Sequence, residues 1–446
     1  MGKMRIHGGR LIDPAGGRDG FFDVIIEDGR IKAVGLPGDF GTPEENEIVV
    51  DATGLWVMPG FVDLHVHLRE PGQEYKETIE TGLKASAAGG FAAVCCMPNT
   101  LPPNDNPQIT QFLIRKSKET GGTKLYPVAS ITIRREGEIL TDMEALKREG
   151  AVALSDDGDC IQSSKVMKLA MERARRVDLP IFEHAEDRLL TEGGMSHQEA
   201  GYEERGDKKW DGEEIKGGMP AEAEEIIVQR DIAIARLTGA RLHFCHVSSM
   251  RSVEAIRRAK DEGLSITSEV TPHHLLLTEE AILKAGANAK VNPPLRTEKH
   301  RQALIEGIRN GTIDAIATDH APHSKKDKEK EFRNAPFGIS GIETAVSLAL
   351  LLVKDGVITP LDLARLFSTS PCRILRIEGG RISAGLPANL TLINPSKPFV
   401  INPDRFISKG KNTPFKDWKV PGGVAMTIVE GKIVWKDEGE RKGGAK

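Results

Sequence analysis

The stretch FVDLHVHLREPG, residues 61–72, places two histidines one residue apart in an apolar run. Alternate side chains of a β-strand share a face, so His65 and His67 are expected to point the same way. Two imidazoles in that arrangement suit a metal ion, but they also suit a half-buried strand that carries two polar residues on one side. The rest of the chain decides between these interpretations.

Composition narrows the class of protein. The 446 residues, of which 39% are hydrophobic, are enough for a large core and more than one domain. A net charge of −4 with both signs interspersed argues against a nucleic-acid partner, and no apolar run reaches the roughly 18 residues of a membrane span. The start of the chain lacks the apolar core of a signal peptide, and the five cysteines form no CxxC pair. We therefore expect a cytoplasmic protein without disulfides.

Between residues 58 and 384, apolar β-like runs alternate with segments of helical periodicity. The runs include FVDLHVHL, FAAVCCMPN, AVALSDDG, RLHFCHVSS and IDAIATDHAPH. Eight such alternations predict a parallel sheet, most simply a (β/α)8 barrel. An open doubly wound sheet is the alternative, but its Gly-rich first turn, GxGxxG, follows none of the runs.

The two ends of the chain, residues 1–57 and 385–446, have a different pattern from the middle. Both contain short strand-like segments divided by turn residues, such as the Asp-Gly pairs of the first segment and Glu430-Gly431 in the second. This similarity predicts one small β-sandwich domain formed from both termini.

Polar side chains lie at the end of nearly every apolar run of the middle region. In a barrel enzyme, the active site lies at these carboxyl ends of the strands. We expect four histidines to be metal ligands: His65, His67, His184 and His246. Asp319 can contact the metal and accept a proton from water, although an aspartate there could also cap a helix. The other polar residues at or near the run ends are Asn99, Asp156, Asp157, His273, His274, His320 and His323, and His243 is expected to pack against the site or support it.

Eight short motifs resemble the amidohydrolase superfamily and, within it, dihydroorotases of the class I type, along essentially the whole chain. They are DLHVHLREPG, MPNT, SDDG, EHAED, CHVS, VNPPLR, ATDHAPH and PFGISG. The resemblance implies a metal-dependent barrel with a small β domain. It also implies a reaction, the reversible cyclisation of N-carbamoyl-L-aspartate to L-dihydroorotate and water in pyrimidine biosynthesis. A metal-activated hydroxide attacks the ring amide in that reaction, with Asp319 as general acid and base.

The fourth run departs from many members of the superfamily. Hydantoinases and allantoinases often carry a carboxylated lysine there that bridges two metals, whereas AVALSDDG has no lysine. The resemblance implies that Asp157 takes the bridging place, with Asp156 the less favoured choice. The expected cofactor is one or two Zn²⁺ ions, and the ligand types do not exclude Mn²⁺ or Co²⁺.

Substrate-binding residues follow from the anionic ring that the resemblance implies. Arg69, two residues past His67, is expected on the same strand face and can form a bidentate pair with a carboxylate. Asn99 can donate to the same group, although it could simply shape a turn, as could Asn292. The full set of expected substrate contacts is His67, Arg69, Asn99, Asn292, His323 and the backbone of Phe337 and Gly338.

Two other functions remain as alternatives. One is a hydantoinase-like or allantoinase-like cyclic amidohydrolase. The other is an inactive homologue that acts as a scaffold for aspartate transcarbamoylase, although such a homologue should have lost its metal histidines.

We expect a homodimer, and an association with aspartate transcarbamoylase is compatible with an active enzyme. The charged segment 192–220 could be a lid, a partner surface or a solvent loop.

Overall fold

The computed structural model describes residues 2–191 and 219–438, and its centre is a sheet of eight parallel strands paired in chain order. The strands are Phe61–Val66, Phe91–Cys96, Lys124–Ala129, Ala153–Leu154, Ile181–Glu183, Leu242–Phe244, Ile266–Val270 and Ala315–Ile316. A parallel bridge between Val66 and His320 joins the end of the sheet to its beginning and nearly closes the ring. The predicted (β/α)8 barrel is confirmed.

Helices connect the barrel strands and begin where the sequence supplies caps. The side chain of Asn106, for example, accepts from the amides of Gln108 and Ile109, with Pro107 at the first helical position. The longer helices are Ile79–Ala88, Pro107–Thr120, Ser164–Arg176, Ala221–Thr238, Met250–Asp261, Glu298–Arg309 and Ala345–Lys354. The shorter ones are Met143–Arg148, Arg188–Thr191, Pro272–Leu276, Ala281–Ala285, Lys325–Lys328, Pro360–Ala364 and Ser370–Leu375.

Residues from both ends of the chain form two further sheets, which are separate from the barrel sheet. The six-stranded sheet runs Lys432–Lys436, Gly423–Val429, Leu390–Asn394, Trp56–Pro59, Arg10–Asp13 and Arg18–Phe21. The four-stranded sheet runs Arg30–Gly35, Asp23–Glu27, Lys3–His7 and Ile48–Asp51. An apolar cluster that includes Ile6, Leu11 and Leu390 joins the two sheets. A β domain built from both termini is thus confirmed, and its exact limits at 57/58 and 384/385 stay a prediction.

The chain between the last terminal strands returns to the barrel. It forms a small antiparallel ribbon of Phe399–Val400 and Lys419–Val420. Ile401 and Phe415 of this segment pack in one apolar cluster with Leu277 and Leu348 of the barrel. The ribbon therefore brings residues from the C-terminal part of the chain against barrel elements.

Within residues 2–191 and 219–438, every helix is too short or too polar to span a membrane. The segment 192–220, for which three roles were considered, lies outside the described residues except for Met219 and Pro220.

Candidate active site

A cavity of about 280 Å³ has formed where the carboxyl ends of the barrel strands meet. It contains all the predicted metal and substrate residues except His65, which is fully buried. The predicted residues that line it are His67, Arg69, Asn99, Asp157, His184, His246, Asn292, Asp319, His323, Phe337 and Gly338. Residues up to 271 positions apart in sequence, such as His67 and Gly338, thus share one small space.

His65 is held by Glu269, which lies on barrel strand seven. The Nδ1 atom of His65 is 2.9 Å from Oε1 of Glu269, and Oε2 of the same carboxylate is 3.1 Å from Nε2 of His243. Burial raises the pKa of Glu269, but the hydrogen bonds from the two histidines outweigh it and lower the pKa to about 2. An ionised carboxylate makes Nδ1 of His65 the donor, and the ring then presents Nε2 to Asp157 and Asp319.

Asp157 lies between two pairs of histidines. Its Oδ1 atom is 3.3 Å from Nε2 of His65, 3.5 Å from Nε2 of His246 and 3.7 Å from Nδ1 of His184. Its Oδ2 atom is 3.6 Å from Nε2 of His67. Burial raises the pKa of Asp157, but the charges of His65 and His67 hold it well below its usual range. One carboxylate therefore faces all four histidines, as a bridging ligand must.

The neighbouring Asp156 has its oxygens engaged elsewhere. Its Oδ1 atom accepts from the amides of Ile131 and Thr132 at 2.9 and 3.1 Å, and its Oδ2 atom accepts from the hydroxyl of Thr132. Burial raises the pKa of Asp156 to about 6. Asp156 thus fastens strand four to the loop after strand three, which leaves Asp157 to face the histidines.

His184 and His246 bring two ring nitrogens together. Nδ1 of His184 is 3.0 Å from Nε2 of His246, while Nε2 of His184 is 2.9 Å from Oε2 of Glu186. Asn292 donates to that same oxygen at 2.9 Å. Burial raises the pKa of Glu186, but the hydrogen bond and charge of His184 lower it to about 2. Glu186 therefore orients His184 as Glu269 orients His65.

Asp319 contacts the opening pair of histidines. Its Oδ1 atom is 2.9 Å from Nε2 of His67 and 3.6 Å from Nε2 of His65. Nδ1 of His67 is 2.8 Å from Oδ1 of Asn99, so Asn99 orients that ring. Burial raises the pKa of Asp319, but the hydrogen bond of His67 and the charge of His65 hold it below its usual range. Asp319 is therefore an ionised carboxylate that can accept a proton.

Three residues of the site have left-handed backbone conformations. Arg69, His246 and Asp319 have φ values of 60°, 32° and 46°. Such values are uncommon outside glycine and cluster at functional sites, where the surrounding structure must support the strain. Strand one ends at Val66, so the expectation that Arg69 continues the strand face of His67 is wrong. Arg69 lines the cavity from a loop with a left-handed backbone.

Arg69 is buried and is the one arginine or lysine among the described residues that line the cavity. Nε of Arg69 donates to the carbonyl of Pro322 at 3.3 Å, and Nη2 is 3.4 Å from Nε2 of His323. Nε2 of His323 is 2.7 Å from the carbonyl oxygen of Phe337. Burial lowers the pKa of Arg69 to about 10, and burial together with the charge of Arg69 lowers the pKa of His323 to about 2. A charged guanidinium beside a neutral imidazole suits an anionic ligand.

Buried atoms without protein partners fit a metal ion. Within residues 2–191 and 219–438, His65 Nε2 and Asp157 Oδ1 are buried polar atoms with no hydrogen-bond partner. In the same part of the chain, three groups of three side chains offer ligand atoms that all lie within 4.8 Å of one another: His65 with His67 and Asp319, His65 with Asp157 and His246, and His65 with Cys245 and Glu269. Imidazole nitrogens and carboxylate oxygens are typical zinc ligands, so the cluster is compatible with a metal site.

Two other histidines near the strand ends, His274 and His320, support the scaffold. The ring of His274 is 2.8 Å from the hydroxyl of Thr271 and 3.0 Å from the carbonyl of Pro293. The backbone carbonyl of His320 accepts from the amide of His67 at 2.8 Å, while its ring lies 3.5 Å from Glu77.

Three acids of the site were not singled out from the sequence: Asp63 and Glu269, which are fully buried, and Glu186, which is half-buried. Oδ1 of Asp63 accepts from the amides of His65 and Thr318, and Oδ2 accepts from the Thr318 hydroxyl at 2.6 Å. Burial raises the pKa of Asp63 to about 7. Two of these acids, Asp63 and Glu269, stand inside apolar strand-like runs, and that placement is the signal that could have identified them.

Comparisons with known proteins show which family this chain resembles. A family model described as Dihydro-orotase-like matches residues 54–252. A dihydroorotase of Syntrophus aciditrophicus (strain SB) is 44% identical over 436 residues, which cover 98% of this chain and 100% of that protein. A dihydroorotase of Caldanaerobacter subterraneus subsp. tengcongensis is 46% identical over 432 residues, 97% of each chain. The solved L-hydantoinase of Arthrobacter aurescens superposes with a TM-score of 0.85 at 24% identity, covering 98% of this chain and 96% of that one, and so shares the fold.

Proposed function

Because the chain belongs to the dihydroorotase family, we propose that it catalyses the reversible cyclisation of N-carbamoyl-L-aspartate to L-dihydroorotate and water. One observation carries this proposal: Asp157 faces four histidines in a small cavity that also holds the buried Arg69. The first feature suits metal-assisted amide hydrolysis, and the second suits an anionic ring.

We propose zinc as the metal, since imidazole and carboxylate ligands suit it. His65, His67 and Asp319 would hold one ion, His184 and His246 a second, with Asp157 bridging the two. Zinc held there would lower the pKa of a water molecule and polarise the amide carbonyl. Glu269 and Glu186 support this arrangement, because each engages one ring nitrogen of a proposed ligand and leaves the other available.

Asp319 is proposed to move the proton. In the hydrolytic direction it accepts a proton from the attacking water as the bond between oxygen and the amide carbon forms. It then donates that proton to the ring nitrogen as the carbon–nitrogen bond breaks, and cyclisation reverses both steps. The contact between Asp319 and His67 at 2.9 Å orients the carboxylate for both transfers.

The substrate carboxylate is proposed to bind Arg69, with Asn99 and His323 beside it. The guanidinium is buried and charged, so an anion that pairs with it gains a strong charge-assisted hydrogen bond. Asn292 and the backbone of Phe337 and Gly338 are proposed to contact the amide edges of the ring. The cavity of about 280 Å³ is at the small end of ligand sites, as a six-membered ring requires.

The test is a direct assay of the purified protein loaded with zinc. We expect ring opening of dihydroorotate and ring closure of carbamoyl-aspartate, both lost after chelation and restored by zinc. Hydantoin and allantoin serve as parallel substrates, because the L-hydantoinase shares the fold. A clear preference for either would contradict the proposal, and no turnover of any substrate by the metal-loaded protein would favour an inactive scaffold. Metal analysis of the same sample distinguishes one ion from two.

The assembly state stays a prediction. A homodimer and an association with aspartate transcarbamoylase are both compatible with an active enzyme. Light scattering of the purified chain, alone and mixed with that partner, tests the two predictions separately.

A further inference from the structure

We propose that Asn412 is a positioning residue for the substrate pocket, tying the loop of His323 to the loop of Phe337 and Gly338. This inference rests on the proposed function, because it concerns the same pocket. Asn412 belongs to the C-terminal segment that leaves the terminal sheets and packs against the barrel, and it lies 91 residues after Ala321 in sequence.

The side chain of Asn412 uses its full hydrogen-bonding capacity on the two loops. Its Oδ1 atom accepts from the amide of His323 at 3.0 Å and from the hydroxyl of Ser340 at 2.8 Å. Its Nδ2 atom donates to the carbonyls of Ala321 at 3.2 Å and Gly338 at 2.9 Å. An amide has two donor hydrogens and two acceptor lone pairs, so one buried group holds both loops in fixed relative positions.

The backbone of Asn412 adds to the connection. Its carbonyl accepts from the amide of Ser340 at 2.7 Å. Both the side chain and the backbone of Asn412 therefore bond to the loop that contains Phe337 and Gly338. At Gly410, an added Cβ would lie 2.5 Å from Cβ of Pro322 and 2.5 Å from Oγ of Ser340. Only glycine allows the segment to approach both loops this closely.

Two acids, Glu343 and Glu77, hold the segment itself in place. The carboxylate of Glu343 accepts from the amides of Ile407 and Ser408 at 2.9 and 3.0 Å. The hydroxyl of Ser408 also donates to the fully buried carboxylate of Glu77. These contacts anchor the segment to the barrel independently of Asn412, so a change at Asn412 acts on the two loops more than on the segment.

The two loops meet at the proposed carboxylate site. Nε2 of His323 is 2.7 Å from the carbonyl of Phe337 and 3.4 Å from Nη2 of Arg69. A shift of either loop changes the position of His323 relative to Arg69. Asn412 touches none of the proposed metal ligands through the hydrogen bonds described, so it should affect substrate binding and leave metal binding unchanged.

The test compares Asn412→Ala with the unmutated enzyme. We expect KM for dihydroorotate to rise about tenfold, because several buried hydrogen bonds that hold the loops are lost. We expect kcat and zinc content to change by less than about twofold. Asn402→Ala is the matched control, since Asn402 lies in the same segment but is exposed. An unmutated enzyme without dihydroorotate turnover refutes the proposed function, whereas normal turnover with an unchanged KM in Asn412→Ala refutes this inference.

A second variant and a second readout keep the test decisive if Asn412→Ala folds poorly. Asn412→Asp retains an acceptor for the amide of His323 but places a carboxylate against the carbonyls of Ala321 and Gly338. We expect its KM to rise as well, while hydrogen exchange at the His323 amide stays slow in Asn412→Asp and accelerates in Asn412→Ala. A lowered thermal midpoint with normal KM and normal exchange in both variants would assign Asn412 a purely structural role and overturn the inference.

Discussion

The contact between Glu269 and His65 leads to a quantitative prediction for Glu269→Gln. The substitution preserves the shape of the side chain but removes its charge. At about 1.4 kcal/mol per pKa unit, lowering the pKa of Glu269 from 4.5 to about 2 corresponds to about 3 kcal/mol of favourable interaction. Two histidines, His65 and His243, share that interaction. Loss of a carboxylate that orients a metal-binding histidine typically weakens metal binding roughly 10- to 100-fold, so we expect zinc affinity to fall by at least about tenfold.

The assay is a zinc competition titration against a chromophoric chelator at pH 7. Glu306→Gln is the control, because Glu306 is an exposed residue of the helix Glu298–Arg309 and should leave the affinity unchanged. Turnover at saturating zinc should recover most of its original value in Glu269→Gln. An affinity within twofold of the unmutated protein would refute the assigned role of Glu269, provided that His65→Ala in the same assay loses zinc.

Three further substitutions test other parts of the site. Asp319→Asn should lower kcat by about 10³-fold at saturating zinc while zinc stays bound, and substantial residual turnover would contradict its role in proton transfer. Arg69→Met should raise KM for dihydroorotate by about 100-fold or more with zinc content unchanged, whereas Arg134→Met, at an exposed arginine, should have no effect on KM. Thr318→Val removes the hydroxyl that donates to the buried carboxylate of Asp63, so urea denaturation should show a free energy of unfolding lower by about 2 kcal/mol; an unchanged midpoint would contradict that contact's contribution.

Much of the fold could be predicted because its signals are local. Eight alternating apolar runs and helical segments specify a barrel, and parallel strands place their carboxyl ends on one side. That rule also explains why His65, Asn99 and Asp319 could be expected in one site, although they come from different strands. Local chemistry also accounts for where helices begin, as the cap at Asn106 with the proline after it illustrates.

The residues that support the site could not be found in the same way. Glu269 contacts His65 across 204 positions of sequence, and Asn412 contacts His323 across 89 positions. No local periodicity encodes such a pair, because the contact depends on how the barrel closes and where the C-terminal segment returns. Arg69 shows a second limit, because its left-handed backbone depends on tertiary contacts. The alternation of side chains along a strand therefore predicted wrongly that Arg69 lies on the strand face of His67.

Selectivity for the carboxylate tests the central claim most directly. Dihydrouracil has the ring of dihydroorotate without the carboxylate, so kcat/KM for the two compounds isolates what Arg69 and its neighbours contribute. When dihydrouracil is bound, the buried cation of Arg69 has no anionic partner. The site should therefore favour dihydroorotate by at least about 10³-fold. A kcat/KM for dihydrouracil equal to or above that for dihydroorotate would contradict the account.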